Sequence, residues 1–506
     1  MNIKRAKQEI KNTIQAYLKK DDYGDYIIPV IRQRPILLIG APGIGKTQIM
    51  EQIAGECNIA LVSYTITHHT RQSAIGLPFI KEKEFEGKKY SVTEYTMSEI
   101  IGSVYEQMEK TGQKEGILFI DEINCVSETL APTMLQFLQC KSFGNQKVPQ
   151  GWIIVAAGNP PEYNKSVREF DVVTLDRVKK MEVEPDFSVW KEYAYSAGVH
   201  GAILSYLELK KENFYQMETR VDGKRFATAR GWQDLSELLH VYEKLGILAD
   251  QEVIFQYIQH EKLAKDFANY LELYRKYQTD YQIRGILRGE VKQAVYEKLK
   301  FAPFDERLSV IGLILSALFE AFELAYETDL YVTELFEQMK NFKRRLSEGH
   351  PAAELLFAME REAIDQAEKD RENGKTDKKE LHRRTKIGRT LRNYGLLLEG
   401  KELKEEDAFE IARTEFVKET KKREDRILKA SENLEYAFDF MERAFGESQE
   451  MVVFITELTV NLYSAKFLAE NECARFYKYN KGLLANERRA GILNGIEEIE
   501  MLMNGN

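Results

Sequence analysis

The chain has 506 residues, enough for several domains with a sizeable core, and its 43% hydrophobic and 30% charged residues are ordinary for a folded protein. The formal net charge of -9 gives no general attraction to nucleic acid or to anionic membranes. Four widely spaced cysteines without a CxxC pair argue against a zinc site or a disulfide scaffold, and they predict a cytoplasmic protein.

The N-terminal half alternates strand-like and helix-like segments. Residues 1–20 predict a charged amphipathic helix without the apolar core of a signal peptide. After it, "ILLIG", "ALVSYT", "ILFID" and "WIIVAAG" read as buried strands separated by helices, which predicts an α/β fold with a parallel sheet. Beyond Phe187 helical periodicity dominates, interrupted by a predicted hairpin that turns at Asp222-Gly223.

The strand "ILLIG" leads into "GAPGIGKT", which matches the phosphate-binding loop GxxxxGK[ST] between a strand and a helix. The glycines allow backbone amides to wrap a phosphate chain, and the lysine places a charge on the terminal phosphates. The threonine hydroxyl is a ligand for Mg²⁺. The predicted ATP-binding residues of this loop are Gly40, Ala41, Pro42, Gly43, Ile44, Gly45, Lys46 and Thr47.

Two adjacent acids end the apolar strand "ILFID". Buried carboxylates need a positive partner, and Lys46 together with a magnesium ion would supply it. We expect Asp121 to hold Mg²⁺ through water, and Glu122 to act as the general base for the attacking water. This division of work predicts ATP hydrolysis, not binding alone.

Three further residues are candidates for the same site. Asn159 follows the strand "WIIVAAG" and precedes two prolines, so its amide lies at the carboxyl edge of the sheet and could orient the attacking water. Arg177 and Arg230 stand near predicted helix ends. An arginine at a helix N-terminus, as predicted for Arg230, becomes favourable when an anion lies nearby.

These motifs together give a specific resemblance. From about residue 35 to 245 the chain resembles an AAA+ ATPase of the MoxR type, through "GAPGIGKT", "FIDEIN", "AAGNPP", "TLDRV" and "ATARGW". The resemblance implies that these are Walker A, Walker B, sensor 1 (Asn159), an arginine finger (Arg177) and sensor 2 (Arg230). Val178 stands where MoxR proteins commonly have phenylalanine, so Arg168 remains a rival for the finger.

The resemblance also implies an organisation and partners. It implies a nucleotide-binding core over 21–185 with a β-hairpin insert near 74–95, and a helical lid over 186–276. The helical C-terminal domain over 277–506, which has no counterpart in the family, is predicted from the helical spacing of its apolar residues and not from the resemblance. The resemblance further implies assembly into a ring, commonly a hexamer, and a chaperone-like role. The expected client is a partner protein, often one with a von Willebrand factor A-type domain.

Three functions remain open. The first is ATP-driven remodelling of a partner, the second a nucleotide-gated binding scaffold, and the third a DNA-directed or defence NTPase with the same core.

The basic stretch "LHRRTKIGRTLR" is flanked by acidic segments, which favours a solvated face over a nucleic-acid site. The apolar run from Leu308 meets Glu320 too soon to span a bilayer and predicts a buried helix. The histidines, including His68-His69, show no metal-site spacing.

Overall fold

The computed structural model describes residues 1–68, 70–143, 146–163, 170–220, 223–372, 378–401 and 403–482. In chain order, the α-helices of these residues are α1 (Ile3–Leu18), α2 (Lys46–Cys57), α3 (Arg71–Ile75), α4 (Glu99–Thr111), α5 (Ala131–Cys140), α6 (Val172–Arg177), α7 (Phe187–Ser196), α8 (Gly201–Leu209), α9 (Ala229–Leu245), α10 (Gln251–Tyr257), α11 (Glu261–Asp280), α12 (Ile283–Ile286), α13 (Gln293–Phe301), α14 (Phe304–Leu346), α15 (Ala352–Glu372), α16 (Lys378–Leu398), α17 (Glu405–Ala444), α18 (Gln449–Val460) and α19 (Leu462–Glu470). The strands are β1 (Ile36–Gly40), β2 (Ala60–Thr65), β3 (Pro78–Phe85), β4 (Lys88–Tyr95), β5 (Gly116–Asp121), β6 (Ser142–Phe143), β7 (Gln146–Lys147), β8 (Trp152–Gly158), β9 (Lys179–Val183), β10 (Gln216–Arg220) and β11 (Gly223–Ala227).

The sheet of the N-terminal half has five parallel strands in the order β2-β5-β8-β1-β9. The four strands predicted from apolar runs are confirmed, and so is the α/β class. The sequence prediction missed β9 because "KKMEV" alternates charged and apolar residues instead of forming an apolar run. Its position explains the pattern, since an edge strand is less completely buried than the strands inside the sheet.

Helices cover both faces of this sheet. Ala6, Ile10 and Ile14 of α1 join α2 and one sheet face in a single apolar core, and the other face packs with α4 and α5 in a second core. Both cores are built from side chains that alternate along the same strands, for example Leu37 and Leu38 of β1. This period-two alternation gives each buried strand two apolar faces.

The parallel pairing brings the ends of four strands to one edge. Thr65 pairs with Asp121, and Ile39 pairs with Gly158, so the segments that follow β1, β2, β5 and β8 leave the sheet at the same side. Ligands in open α/β sheets bind at this carboxyl edge. The register therefore places the phosphate-binding loop, the acid pair and Asn159 beside one another.

A long antiparallel hairpin, formed by β3 and β4, lies between β2 and α4. Its turn uses Glu86 and Gly87, both with positive φ, as a tight hairpin turn requires. At its base, Thr96 accepts and donates hydrogen bonds with Leu77, and a Cβ on Gly76 would lie 2.1 Å from the Thr96 carbonyl oxygen. The two strands are therefore clamped at the base and exposed along their length.

The chain divides into two compact units. Unit 1 comprises 1–189, 228–231 and 370–375, and unit 2 comprises 190–227, 232–369 and 376–506. Unit 2 is mostly helical and includes the antiparallel hairpin of β10 and β11, whose two connecting residues lie outside the described part. Most of α9 and all of α14 belong to this same unit.

Helix α14 is the long apolar helix of unit 2. Its run from Leu308 is buried as predicted, but the helix continues past Glu320 to Leu346. By length and composition it is apolar enough to cross a membrane, and 56% of its most apolar window is buried inside the protein. In the described residues, α18 and α19 pass the same test only as a pair, and that pair is bent by 87°.

Candidate functional site

The phosphate-binding loop follows β1 at the carboxyl edge. Gly43 and Gly45 have φ values of 74° and 92°, a conformation that glycine adopts without strain. Gly40 is needed for a different reason, because a Cβ there would lie 2.7 Å from the Val183 carbonyl oxygen of β9. Helix α2 begins at Lys46, so its N-terminus and the free amide groups of its first turn face the loop.

Lys46 is buried inside this loop. Its Nζ donates to the Gly40 carbonyl at 2.7 Å, the Ala41 carbonyl at 2.8 Å and Asn159 Oδ1 at 2.9 Å, which uses all three N–H groups. The pKa of Lys46 is lowered to about 8, chiefly by burial and also by the charge of Arg230, while Asp121 and Glu122 oppose the shift. An incoming phosphate must therefore replace three protein acceptors.

The lowered pKa of Lys46 predicts a pH-dependent affinity for nucleotide. The charged amine predominates below about pH 8 and is lost above it, and a bound phosphate favours the charged form. The affinity for a non-hydrolysable ATP analogue should thus be constant from pH 6.5 to 7.5 and fall by up to about tenfold per pH unit above 8. Fluorescence titration measures it. Lys46→Arg, whose guanidinium keeps its charge, should give a flat profile, and a flat wild-type profile would contradict the prediction.

Asp121 and Thr47 form a pair of oxygen ligands. The Thr47 hydroxyl donates to Asp121 Oδ2 at 2.9 Å, and the backbone N–H of Glu122 donates to Oδ1 at 2.9 Å, so both carboxylate oxygens are oriented. Hydroxyl and carboxylate oxygens at a phosphate loop are the ligands that Mg²⁺ prefers. The two residues present here fit that ion.

Glu122 has an unusual backbone conformation. Its φ is 57°, in the left-handed region, which costs on the order of 1–3 kcal/mol for a residue other than glycine. The Thr67 hydroxyl, just beyond β2, donates to Glu122 Oε2 at 3.1 Å. The strained turn and this hydrogen bond give Glu122 a direction different from that of Asp121, although the two are adjacent in sequence.

Asn159 lies beside Lys46, as its hydrogen bond shows, and its backbone is held by Asn124. Asn124 Nδ2 donates to the Asn159 carbonyl at 2.8 Å, and the Asn159 N–H donates to Asn124 Oδ1 at 3.3 Å. Asn124 is buried, with 5% of its surface exposed. The sequence motif "FIDEIN" contains this residue, but its partner could not be identified without the fold.

Arg230 approaches the loop from the start of α9. Its backbone N–H donates to the Gly43 carbonyl at 3.2 Å, and Thr228 caps the helix by accepting from the Gly231 N–H at 3.1 Å. The exposed guanidinium is close enough to lower the pKa of Lys46. Arg230 therefore adds positive charge at a helix N-terminus beside a loop built for an anion.

Arg177 is the last residue of α6 and lies elsewhere in unit 1. Its Nη1 donates to Gln139 Oε1 of α5 at 2.6 Å, and the side chain is exposed. At the start of the same helix, Val172 and Val173 are 80% and 57% exposed. The rival Arg168 lies outside the described residues.

A group of possible metal ligands lies in unit 2. His200, His240 and Glu243 place one ligand atom each within 4.8 Å of one another, a cluster that sequence spacing did not reveal. His200 Nδ1 accepts the Ala202 N–H at 3.2 Å, which leaves the proton on Nε2, 2.9 Å from Glu243 Oε1. Both ring nitrogens of His200 are thus engaged in hydrogen bonds. We therefore interpret the cluster as the N-cap residue of α8 hydrogen-bonded to Glu243, and not as a metal site.

The basic stretch "LHRRTKIGRTLR" lies in α16 of unit 2. Several of its cations are engaged within the protein: Arg383 with Glu327 and Glu334, Arg384 with Glu380, Arg392 with Glu360, and Lys386 over the ring of Tyr331. The acids come largely from α14 and α15. The dense positive charge of this stretch is therefore used largely in contacts with neighbouring helices.

Sequence reasoning missed three residues that contact the site. Thr67 and Asn124 follow strands at the same edge as the motifs, and Thr228 caps the helix that carries Arg230. The available signal was their position one to three residues beyond a strand or before a helix. That signal is weak in a sequence because Ser, Thr and Asn are common in such turns.

The geometry agrees with a comparison of the sequence against protein-family models. Residues 36–175 match the model described as "ATPase family associated with various cellular activities (AAA)". No curated protein matches the chain. The match spans β1 to α6 and contains the phosphate-binding loop, the acid pair, Asn124 and Asn159. The segment from 36 to 175 is therefore a domain of the AAA family of ATPases.

Proposed function

We propose that the chain is an ATP-hydrolysing, MoxR-like AAA+ ATPase that remodels or activates a partner protein. One observation carries the proposal: the edge of the sheet joins a buried phosphate-loop lysine, an oriented Thr47–Asp121 pair and a separately directed Glu122. A site for binding alone would not need the second acid. The AAA domain supports the general ATPase activity.

Each residue has a distinct part in this proposal. The amides of the loop and Lys46 bind the phosphates of ATP, and Thr47 with Asp121 would hold Mg²⁺, which neutralises charge on the phosphate oxygens when bound. Glu122 accepts the proton of the attacking water, and the Asn159 side chain orients that water. The hydrogen bond from Thr67 engages one oxygen of Glu122 and so limits the orientations of its carboxylate.

We further propose a ring, commonly a hexamer in the family that the sequence resembles. Arg177 has no role in its own phosphate loop in this proposal and instead reaches the nucleotide of a neighbouring subunit. The exposed Val172 and Val173 at the start of the same helix support burial of α6 against another copy. Arg230 acts as sensor 2 within its own subunit, in keeping with its contact with Gly43.

The client is a protein, and a von Willebrand factor A-domain protein is the candidate that the resemblance supplies. The hairpin of β3 and β4 supports such a contact, because Phe79, Ile80 and Tyr90 are 43%, 76% and 50% exposed on it. The four free cysteines support a cytoplasmic location, where thiols stay reduced.

The proposal is tested with Glu122→Gln. An amide cannot accept the proton, so hydrolysis should slow by about 10²–10⁴-fold while the affinity for ATP stays within about threefold. Phosphate release and ATP titration measure the two quantities. Glu109→Gln, an exposed acid of α4, should behave as wild type.

The same variant tests the client. Affinity capture with Glu122→Gln and ATP should retain a protein that Lys46→Ala does not retain. Normal turnover in Glu122→Gln would remove the general base from the mechanism. Absence of any ATP-dependent protein partner would favour the nucleotide-gated scaffold or the DNA-directed NTPase.

A further inference from the structure

We infer that Asn124 is a positioning residue for hydrolysis, which sets the place of the Asn159 amide between Lys46 and the attacking water. The inference rests on the proposed ATPase function and extends it to a residue that does not touch the nucleotide. It stands on a reciprocal pair of hydrogen bonds, a glycine that makes room for them, and the contact that Asn159 makes with Lys46.

The reciprocal pair fixes the Asn159 backbone. Asn159 is the first residue beyond β8, where the sheet no longer supplies partners for its N–H and C=O groups. Asn124 supplies both partners: its Nδ2 donates to the Asn159 carbonyl at 2.8 Å, and its Oδ1 accepts from the Asn159 N–H at 3.3 Å. Swapping the two ends of the amide would bring donor against donor and acceptor against acceptor, so only this orientation of Asn124 works.

The two segments are joined along their length. Beside the Asn124 pair, the Ile123 N–H donates to the Ala157 carbonyl of β8 at 2.9 Å, which extends the contact between the two segments past the end of β5. A movement of the acid-bearing turn would therefore carry Asn159 with it. Glu122 and Asn159, the proposed base and the residue that orients the water, are held at a fixed separation by this link.

Gly158 makes the link possible. A Cβ on Gly158 would lie 2.5 Å from Asn124 Oδ1 and 2.8 Å from its Cγ, distances that real side chains do not tolerate. Gly158 does not have a positive φ, so glycine is required at this position because a side chain would not fit, and not because of the backbone conformation. The small residue lets the Asn124 amide lie against the backbone of Asn159.

Asn159 in turn contacts the phosphate-binding loop, because its Oδ1 accepts a hydrogen bond from Lys46 Nζ at 2.9 Å. A displacement of Asn159 therefore affects the reacting groups. An error of about 1 Å in a group that orients a reactant costs on the order of a hundredfold in rate, whereas in the proposed mechanism the phosphates bind directly to the loop amides and Lys46 and not to Asn159. Loss of Asn124 should therefore lower kcat and leave the affinity for ATP nearly unchanged.

A double-mutant cycle tests this. We would measure kcat with Mg-ATP, and the Kd of a non-hydrolysable analogue, for the wild type, Asn124→Ala, Asn159→Ala and the double variant. Asn124→Ala should lower kcat by about ten- to a hundredfold with Kd within about threefold. The double variant should be no slower than Asn159→Ala, because Asn124 then has nothing left to position.

Two further variants separate positioning from folding. Gly158→Ala adds a methyl group where the Asn124 amide lies, so it should displace Asn124 without changing that residue. It should therefore lower kcat as Asn124→Ala does. Asn213→Ala removes an equally buried asparagine of unit 2, 6% exposed and bonded to the Tyr206 hydroxyl, and should lower the melting temperature without changing kcat. If Asn124→Ala does not fold, Asn124→Asp, which keeps the acceptor for the Asn159 N–H, takes its place in the cycle.

Three results would overturn the inference. One is a normal kcat in the folded Asn124 variant, and another is a double variant whose loss equals the product of the two single losses. The third is a loss of nucleotide affinity that accounts for the slower turnover. A wild-type protein that does not hydrolyse ATP would overturn the proposed function together with this inference, whereas a normal kcat in the Asn124 variant would leave the proposed function intact.

Discussion

Lys46→Ala is expected to lose at least about a hundredfold in affinity for ATP, and with it all measurable hydrolysis at micromolar nucleotide. Two or more hydrogen bonds from a charged amine to phosphate oxygens are lost, each worth roughly 1.5–3 kcal/mol. We expect the loss of affinity to be specific to this amine, because Lys46 Nζ already lies in the loop, where it donates hydrogen bonds to Gly40, Ala41 and Asn159. Calorimetric titration with ATP measures the loss.

A second substitution separates charge from packing at this position. Lys46→Met keeps most of the hydrocarbon chain and removes only the amine, so it should lose affinity as much as Lys46→Ala does. Circular dichroism should show both variants folded, since neither substitution changes the apolar cores on the two faces of the sheet. ATP binding by Lys46→Met with wild-type affinity would show that the loop lysine does not bind phosphate.

Arg177→Ala is expected to bind ATP normally and to hydrolyse it about 10³–10⁵ times more slowly. The transition state spreads negative charge over the terminal phosphate oxygens, and an arginine supplied by a neighbouring subunit stabilises that charge at the moment of reaction. In the isolated chain Arg177 donates to Gln139 on α5 and is exposed, so it is available to another copy. Single-turnover phosphate release measures the rate.

Mixing variants tests whether the site is shared. Arg177→Ala subunits keep an intact phosphate loop, and Lys46→Ala subunits keep an intact Arg177, so a mixture should recover activity that neither has alone. Specific activity of the wild type should fall on dilution as the ring dissociates. Arg5→Ala, an exposed arginine of α1, is the matched control, and Arg168→Ala tests the rival finger. Constant activity per subunit in a form shown to be monomeric would contradict the shared site.

The prediction of the fold from sequence succeeded where the signal is local. Buried strands such as Ile36–Gly40 and Gly116–Asp121 are short continuous apolar runs, and a short run of this kind suits a strand covered on both faces. It failed for Lys179–Val183, because this edge strand alternates charged and apolar residues. For α14 it predicted a buried helix but counted the apolar run only as far as Glu320, whereas the helix continues to Leu346 and is long and apolar enough to cross a membrane by length and composition.

The chemical roles that the sequence supplies for the site follow from residue type and spacing. A glycine-rich loop with Lys46 and Thr47 needs only its own backbone to become a phosphate cradle, and two acids at a strand end need only that strand. The distance between the parts was not available from sequence. Thr47 and Asp121 are separated by 74 residues and Lys46 and Asn159 by 113, and only the order of strands in the sheet brings them into hydrogen-bond contact.

By itself the sequence determined the α/β core, the helical remainder, the phosphate-binding loop and the acid pair, because each depends on a contiguous pattern of side chains. The tertiary structure alone decided how these parts are held: that Thr67 donates to Glu122, that Asn124 clamps Asn159, and that Gly43 contacts the start of α9. It also showed His200, His240 and Glu243 to be neighbours. Hydrogen bonds between such distant residues depend on strand register and helix packing, which only the folded chain specifies.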